Sequence, residues 1–165
     1  MKKVIIMLMM LVPLATFAQK FGHVDTQSII QSLPDYARAN GEIEAIGKQY
    51  ENELKASQDE LQRLMDDYEK KKSSMSATQQ QETEASLQEK YNRIAQQAQQ
   101  NQQDFQKAQQ EKLQPILNKV RQAIDTVGKS GGYVYIIELG SVLYVNETIS
   151  KDLTSEVKAQ LAKMK

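Results

Sequence analysis

The sequence predicts an α+β protein with a small β-containing body and a long antiparallel helical hairpin, a coiled-coil tentacle, inserted into it. Three observations favour this class. Segments that favour strands lie at 20–25, with Phe21 and Val24 as the apolar members, and at 133–146, which is rich in β-branched and aromatic residues. Between them the chain keeps a helical period and is rich in Gln, Glu, Lys and Ala, which are good helix formers. A serine-rich break at 73–78 divides this helical stretch in two.

Residues 1–18 have the pattern of a signal peptide. A basic start is followed by an apolar run from Val4 to Leu14 and by small residues ending at Ala18. The run is short for a membrane span, which needs about 20 apolar residues. We therefore expect an exported protein that is cleaved before Gln19.

Composition excludes several classes of function. The chain has 21 basic and 21 acidic residues, and removal of Lys2 and Lys3 leaves the mature protein slightly acidic. This argues against nucleic-acid binding, which needs a basic patch or stripe. Cysteine is absent and His23 is the single histidine, so the common zinc sites and the usual hydrolytic triads have no support. We expect no cofactor, no metal and no catalytic activity.

The first arm of the hairpin begins near Pro34, which suits the first turn of a helix, and runs to about Lys72. Its apolar residues recur every three or four positions, as in the narrow seam of a coiled coil. Acidic residues stand four positions before basic ones on the other faces, an arrangement that supports a solvent-exposed helix. The predicted seam comprises Ile43, Ile46, Tyr50, Leu54, Ser57, Leu61, Leu64 and Tyr68.

The second arm follows a tip at about 73–78, where Ser76 or Thr78 resembles the start of a capping box. It runs to about Val127 through the glutamine-rich stretch "QQQETEASLQEKYNRIAQQAQQNQQDFQKAQQEK". Pro115 is expected to kink it or to mark a junction. The arm is therefore predicted to pack lengthwise on the first through a thin seam. That seam comprises Leu87, Tyr91, Ile94, Ala98, Asn101, Phe105 and Ala108.

The remaining segments predict the body. "YVYIIELGSVLYVN" favours two strands with a turn at Leu139-Gly140-Ser141, and the apolar run Val134–Ile137 is typical of a strand covered on both faces. A final amphipathic helix is expected to start at Thr154 as N-cap. We assign 19–34 and 113–165 to the body and 35–112 to the hairpin. The predicted core and subunit contacts are Leu117, Val120, Ile124, Val134, Ile136, Val142, Tyr144 and Leu153.

Three segments resemble the Skp/OmpH family of periplasmic chaperones. They are "FGHVDTQSIIQSLPDYARA", "LQPILNKVRQAIDTVGKSGGYVYIIE" and "LYVN…KDLTSEVKAQL", and their order and spacing are similar to those of the family. Glu138 stands where the family often has Asp. The resemblance implies a homotrimer whose helical tentacles enclose a cavity. It also implies an ATP-independent holdase that binds unfolded outer-membrane β-barrel proteins.

Client contacts are expected on the hairpin, where many weak apolar contacts suit a promiscuous surface. The candidates are Met65, Tyr68, Met75, Tyr91 and Phe105. The alternative interpretation is that the three aromatic residues only hold the hairpin together. The tip carries the basic cluster Lys70, Lys71 and Lys72, but nearby acidic residues offset it, so we expect at most a weak contact with a membrane surface.

A second function fits the same pattern: an exported coiled-coil spacer or envelope scaffold without chaperone activity. Such a protein is expected to have a continuous, strong apolar seam. The polar residues Ser57 and Asn101 interrupt the seam here, which favours the chaperone.

Overall fold

The structure is a computed structural model that describes residues 19–164, so the predicted signal peptide lies outside the described residues. The secondary structure comprises strand β1 (Lys20–Val24), helices α1 (Thr26–Gln31) and α2 (Pro34–Lys71), a 3-10 turn (Lys72–Ser74), helix α3 (Ala77–Gly131), strand β2 (Tyr133–Glu138), a second 3-10 turn (Leu139–Ser141), strand β3 (Ser150–Asp152) and helix α4 (Thr154–Lys163). A long helical hairpin and a small three-stranded sheet are thus present, which confirms the predicted fold class.

The sheet has the order β2-β1-β3, and both outer strands run parallel to β1. Parallel strands need a long crossover connection, and the whole helical hairpin connects β1 to β2. The second strand expected within 133–146 is wrong, because 142–149 contains no strand. Phe21, Gly22 and His23 pair instead with Ser150–Asp152. Since β2 occupies the other edge of β1, no edge of that strand is left for 142–146.

The expectation that β2 is covered on both faces is also wrong for the single chain. Val134, Tyr135 and Ile137 are 40–61% exposed. Ile136 lies against the end of α3, where a Cβ added at Gly128 would come within 3.1 Å of its Cδ1. As an edge strand, β2 leaves a row of backbone groups and apolar side chains open.

The chain divides into two compact units, which we call the sheet unit (19–26 and 122–164) and the hairpin unit (27–121). The expected boundaries were at 34/35 and 112/113. The core of the sheet unit consists of apolar residues from β1, from the last turns of α3, and from α4 and the residue before it. Burial of each of the larger side chains stabilises the fold by about 1.5–3 kcal/mol. These core residues are Val24, Ala123, Leu153, Val157 and Leu161.

The predicted core residues divide between buried and exposed positions. Val120 is 3% and Leu153 1% exposed, whereas Ile124, Ile136 and Val142 are half-buried. Three others lie outside the core of the single chain: Leu117, Val134 and Tyr144 are 43%, 46% and 79% exposed.

The helix ends follow the sequence signals with one exception. Pro34 opens α2, Ser76 and Gln79 form the capping box before α3, and Gly132 follows α3 with the left-handed φ of 67°. Thr154 is not the N-cap of α4. Leu153 is at the N-cap position and makes no side-chain cap. The backbone N–H of Thr154, the first residue of the helix, donates to Asp152 Oδ1 at 2.8 Å, so the Asp152 carboxylate satisfies this N–H. The Thr154 hydroxyl instead accepts from the backbone N–H of Asp25.

The two arms of the hairpin unit are long single helices, and α3 continues through Pro115 without interruption. Hydrogen bonds and ion pairs join α2 to α3 at several levels, which fixes an antiparallel register. None of the helices within 19–164 combines the length and the apolar character needed to cross a membrane.

Candidate functional site

The seam of the hairpin is thinner than predicted and has one different member. In α2 the predicted residues Ile43, Leu61 and Tyr68 are buried, while Leu64 is 42% exposed. Tyr91, expected on the α3 seam, is 60% exposed, so its assignment to the seam is wrong.

Lys90, and not its neighbour Tyr91, occupies the seam at this level of α3. Its side chain is 27% exposed, and its Nζ lies 2.5 Å from Glu60 Oε1 across the hairpin. A long amphipathic side chain can cover apolar surface with its methylene groups while its ammonium group reaches a carboxylate. Sequence reasoning missed this because it sought apolar residues at seam positions. The acidic Glu60 on the opposite arm was the available signal.

A groove lies midway along the hairpin between α2 and α3. It has a volume of about 330 Å³. Gly47 leaves room for the Phe105 ring on the α2 backbone, since a Cβ at position 47 would come within 3.2 Å of Cε2 of that ring. The groove is lined by Gly47, Tyr50, Glu51, Leu54, Ala98, Asn101, Gln102 and Phe105.

Asn101, which lines this groove, carries an unsatisfied polar atom. Its Nδ2 is buried and has no hydrogen-bond partner within the described residues. Leaving a buried donor unpaired costs about 1–3 kcal/mol. The hairpin therefore carries a local instability at the level of the groove.

The tip of the hairpin is held by a polar cluster. Tyr68 is buried, and its hydroxyl donates to Glu84 Oε1 at 2.5 Å. This hydrogen bond lowers the pKa of Glu84 below its usual 4.5 and raises the pKa of Tyr68 above its usual 10.0. Lys72 Nζ lies 3.6 Å from Glu84 and 5.2 Å from the centre of the Tyr68 ring. Tyr68 thus stabilises the turn between the arms.

The three tip lysines have different environments. Lys71 pairs with Asp67 at 2.7 Å, and Lys72 belongs to the Tyr68 cluster. Lys70 forms no ion pair with any residue in the described range. The tip therefore offers little unpaired positive charge, in agreement with its balanced sequence.

Two of the candidate client contacts are clearly exposed. Met65 is 46% and Tyr91 60% exposed, whereas Met75 and Phe105 are half-buried. Further apolar side chains of the sheet unit are exposed in β2, in the 3-10 turn after it and in the loop before β3, and the sequence did not predict their exposure. We call these residues the apolar strip; they are Val134, Tyr135, Ile137, Leu139, Leu143, Tyr144 and Ile149, which are 40–109% exposed.

Two polar groups of the sheet unit, His23 and Glu138, have structural partners. His23 is 5% exposed, and its Nδ1 lies 3.0 Å from Ser150 Oγ across the β1–β3 pair. The Glu138 carboxylate accepts from the backbone N–H of Thr26 at 3.2 Å and so caps α1. Within 19–164, no three His, Cys, Asp or Glu side chains cluster closely enough to hold a metal ion.

These features define a class of protein: a coiled-coil hairpin with a weak polar seam, placed in the sequence between the strands of a small parallel sheet with open edges. Residues 20–161 match the family described as outer membrane protein (OmpH-like). The chain belongs to this OmpH-like family.

Relatives and a solved structure agree with this assignment. The chain is 30% identical over 151 residues to the chaperone protein Skp of Pectobacterium atrosepticum, which covers 87% of this chain and 86% of that protein. It is 31% identical over 154 residues to the chaperone protein Skp of Photorhabdus laumondii, which covers 89% of this chain and 88% of the relative. An OmpH-like protein of Caulobacter crescentus shares the fold, with a TM-score of 0.76, 18% identity and coverage of 88% and 86%.

Proposed function

We propose that this chain is an ATP-independent holdase chaperone of the periplasm that binds unfolded outer-membrane β-barrel proteins and keeps them from aggregating. Membership of the OmpH-like family and the similarity to proteins named chaperone protein Skp support this function. The export pattern of residues 1–18 supports the location.

The observation that carries the proposal is the hairpin with its thin seam. Two helices held by few apolar contacts leave Met65 and Tyr91 at the surface. A holdase must shield many different apolar segments, so scattered flexible and aromatic side chains suit it better than one shaped pocket. Tyr68, another candidate client contact, stabilises the tip of the hairpin instead, as its hydrogen bond to Glu84 indicates.

We further propose that the chain acts as a homotrimer whose tentacles surround the client. The exposed residues of the apolar strip support assembly, because association with further copies would remove their apolar surface from water. A sheet with two open edges and a small core also favours association with further copies. In this proposal Val134 and Tyr144 belong to subunit contacts.

The test is suppression of aggregation. An outer-membrane β-barrel protein is diluted from urea without ATP, and turbidity is followed against the concentration of residues 19–165. We expect suppression by the wild type. Met65→Ser and Tyr91→Ser should each raise the concentration needed by about fivefold, if each buried contact contributes about 1 kcal/mol.

The matched control is Gln96→Ser, which changes an exposed polar residue on the same arm as Tyr91. It should leave the required concentration unchanged. Aggregation that proceeds in the presence of wild-type protein as it does in buffer would refute the holdase function.

A further inference from the structure

The groove midway along the hairpin combines apolar walls with polar side chains. Tyr50, Leu54 and Phe105 give it apolar walls, and Gly47 leaves room for the Phe105 ring beside the backbone of α2. Glycine inside a helix is less favourable than alanine by about 0.8–1.0 kcal/mol. The sequence thus tolerates a local loss of helix stability at this level.

Asn101 adds a hydrogen-bond donor that nothing within 19–164 satisfies. The terminal torsion of an asparagine side chain is broad, so the amide can turn toward the groove with little strain. A main-chain carbonyl of an occupant would then accept from Nδ2 and remove the cost of the unpaired donor. Every unfolded polypeptide carries such carbonyls, whatever its sequence.

Glu51 gives the groove a negative charge. Its carboxylate lines the groove and forms no ion pair or hydrogen bond with any side chain that the structure describes. The neighbouring Glu44 and Glu53 differ, because Lys48 and Gln49 respectively bind their carboxylates. By charge complementarity, an occupant that places Lys or Arg beside its apolar residue fits this groove better than an acidic one.

We propose that the groove binds an extended segment of unfolded polypeptide, in which a bulky apolar side chain enters between the helices and an adjacent Lys or Arg pairs with Glu51. A main-chain carbonyl of the segment accepts the hydrogen bond of Asn101. This inference rests on the proposed holdase function and names a site and a sequence preference for its clients.

The test uses two short fluorescein-labelled peptides, one with a central Phe-Arg pair and one with Phe-Glu, titrated with residues 19–165 and followed by fluorescence anisotropy. The Phe-Arg peptide should bind more tightly. Glu51→Gln should weaken its binding about two- to fivefold, the range for an exposed ion pair, and should abolish the preference over Phe-Glu. The matched control is Asp59→Asn, which removes an exposed carboxylate of α2 outside the groove.

Asn101→Leu should change the peptide affinity and the stability of the protein in opposite directions. It removes the unpaired donor, so the empty protein should resist urea better than the wild type, while peptide affinity should fall about fivefold through the lost hydrogen bond. A residue that only holds the hairpin together would change both properties in the same direction. The side-chain amide signals of Asn101 in a ¹⁵N-resolved spectrum should also shift as the Phe-Arg peptide is added.

The inference is overturned if both peptides bind equally to the wild type, or if Asn101→Leu and Glu51→Gln leave binding unchanged. If the barrel protein is still kept soluble in that case, only the groove assignment is lost. If wild-type protein fails to keep the barrel soluble, the proposed function itself is lost.

Discussion

Two glycines of the same helix provide a sharp test of how the hairpin is packed. Both Gly41 and Gly47 lie inside α2, and replacing either by alanine improves helix propensity by about 0.8–1.0 kcal/mol. Around Gly41 an added Cβ would meet nothing within 4 Å, whereas at Gly47 it would lie 3.2 Å from Cε2 of Phe105. The two substitutions should therefore improve helix propensity equally, but only Gly47→Ala should create a close contact with another side chain.

We expect Gly41→Ala to raise the free energy of unfolding by about 1 kcal/mol. Gly47→Ala must move the Phe105 ring, and overpacking of this kind costs about 1–3 kcal/mol. Its net effect should lie between about zero and a loss of about 2 kcal/mol. The two variants should thus differ by at least about 1 kcal/mol.

The assay is urea unfolding followed by circular dichroism at 222 nm. All variants must be compared at one protein concentration, because the stability of an oligomer depends on concentration. Equal stabilisation by both substitutions would refute the close approach of Phe105 to α2. It would also remove the structural basis of the groove beside Gly47.

Three further predictions concern the tip, the last helix and assembly. Because the hydrogen bond from Tyr68 lowers the pKa of Glu84, its stabilisation is present above pH 4.5 and is lost as the pH falls through the lowered pKa. The difference in unfolding free energy between wild type and Tyr68→Phe should therefore be constant near neutral pH and shrink below 4.5. Asp152→Ala removes the acceptor for the first N–H of α4 and should destabilise the protein by about 1 kcal/mol in urea, whereas Asp152→Asn keeps an acceptor. Leu143→Asp should lower the light-scattering mass of the oligomer, because it places a charge in the apolar strip.

Each of these predictions has a contradicting outcome. A Tyr68→Phe difference that persists unchanged in acid would show that Glu84 is not stabilised as a carboxylate by this contact. Equal loss in both Asp152 variants would show that accepting this hydrogen bond is not its role. A Leu143→Asp protein with unchanged mass would place that part of the apolar strip outside the subunit contacts.

The hairpin was largely predictable because its signals are local. Pro34 at the helix start, the capping box at Ser76 and Gln79, and the glycine after α3 each act through the backbone of neighbouring residues. The three-to-four-residue spacing of apolar side chains then fixed which face of each arm packs. Such signals require no knowledge of the rest of the chain.

The seam details and the third strand were not predictable in the same way. Whether Lys90 or Tyr91 enters the seam depends on Glu60 in the opposite arm, and the two positions are equally compatible with a helix. The segment 142–146 has strong strand propensity, yet Ser150–Asp152 takes the free edge of β1. Strand pairing is decided by tertiary contacts more than by propensity.

The groove could not be predicted from the sequence for a related reason. Asn101 was recognised as a polar gap in the seam, but only the packed hairpin shows that its Nδ2 lacks a partner. Gly47 gives no clear signal in the sequence, because a helix tolerates an isolated glycine. Its meaning depends on the ring of Phe105, which is distant in the sequence.

The most direct test of the central claim is the light-scattering mass of residues 19–165, measured alone and after addition of an unfolded outer-membrane β-barrel protein diluted from urea without ATP. We predict a trimer that gains the mass of one barrel chain and remains in solution. A particle of unchanged mass, with the barrel protein lost to aggregation, would contradict the holdase account and favour a coiled-coil spacer or scaffold.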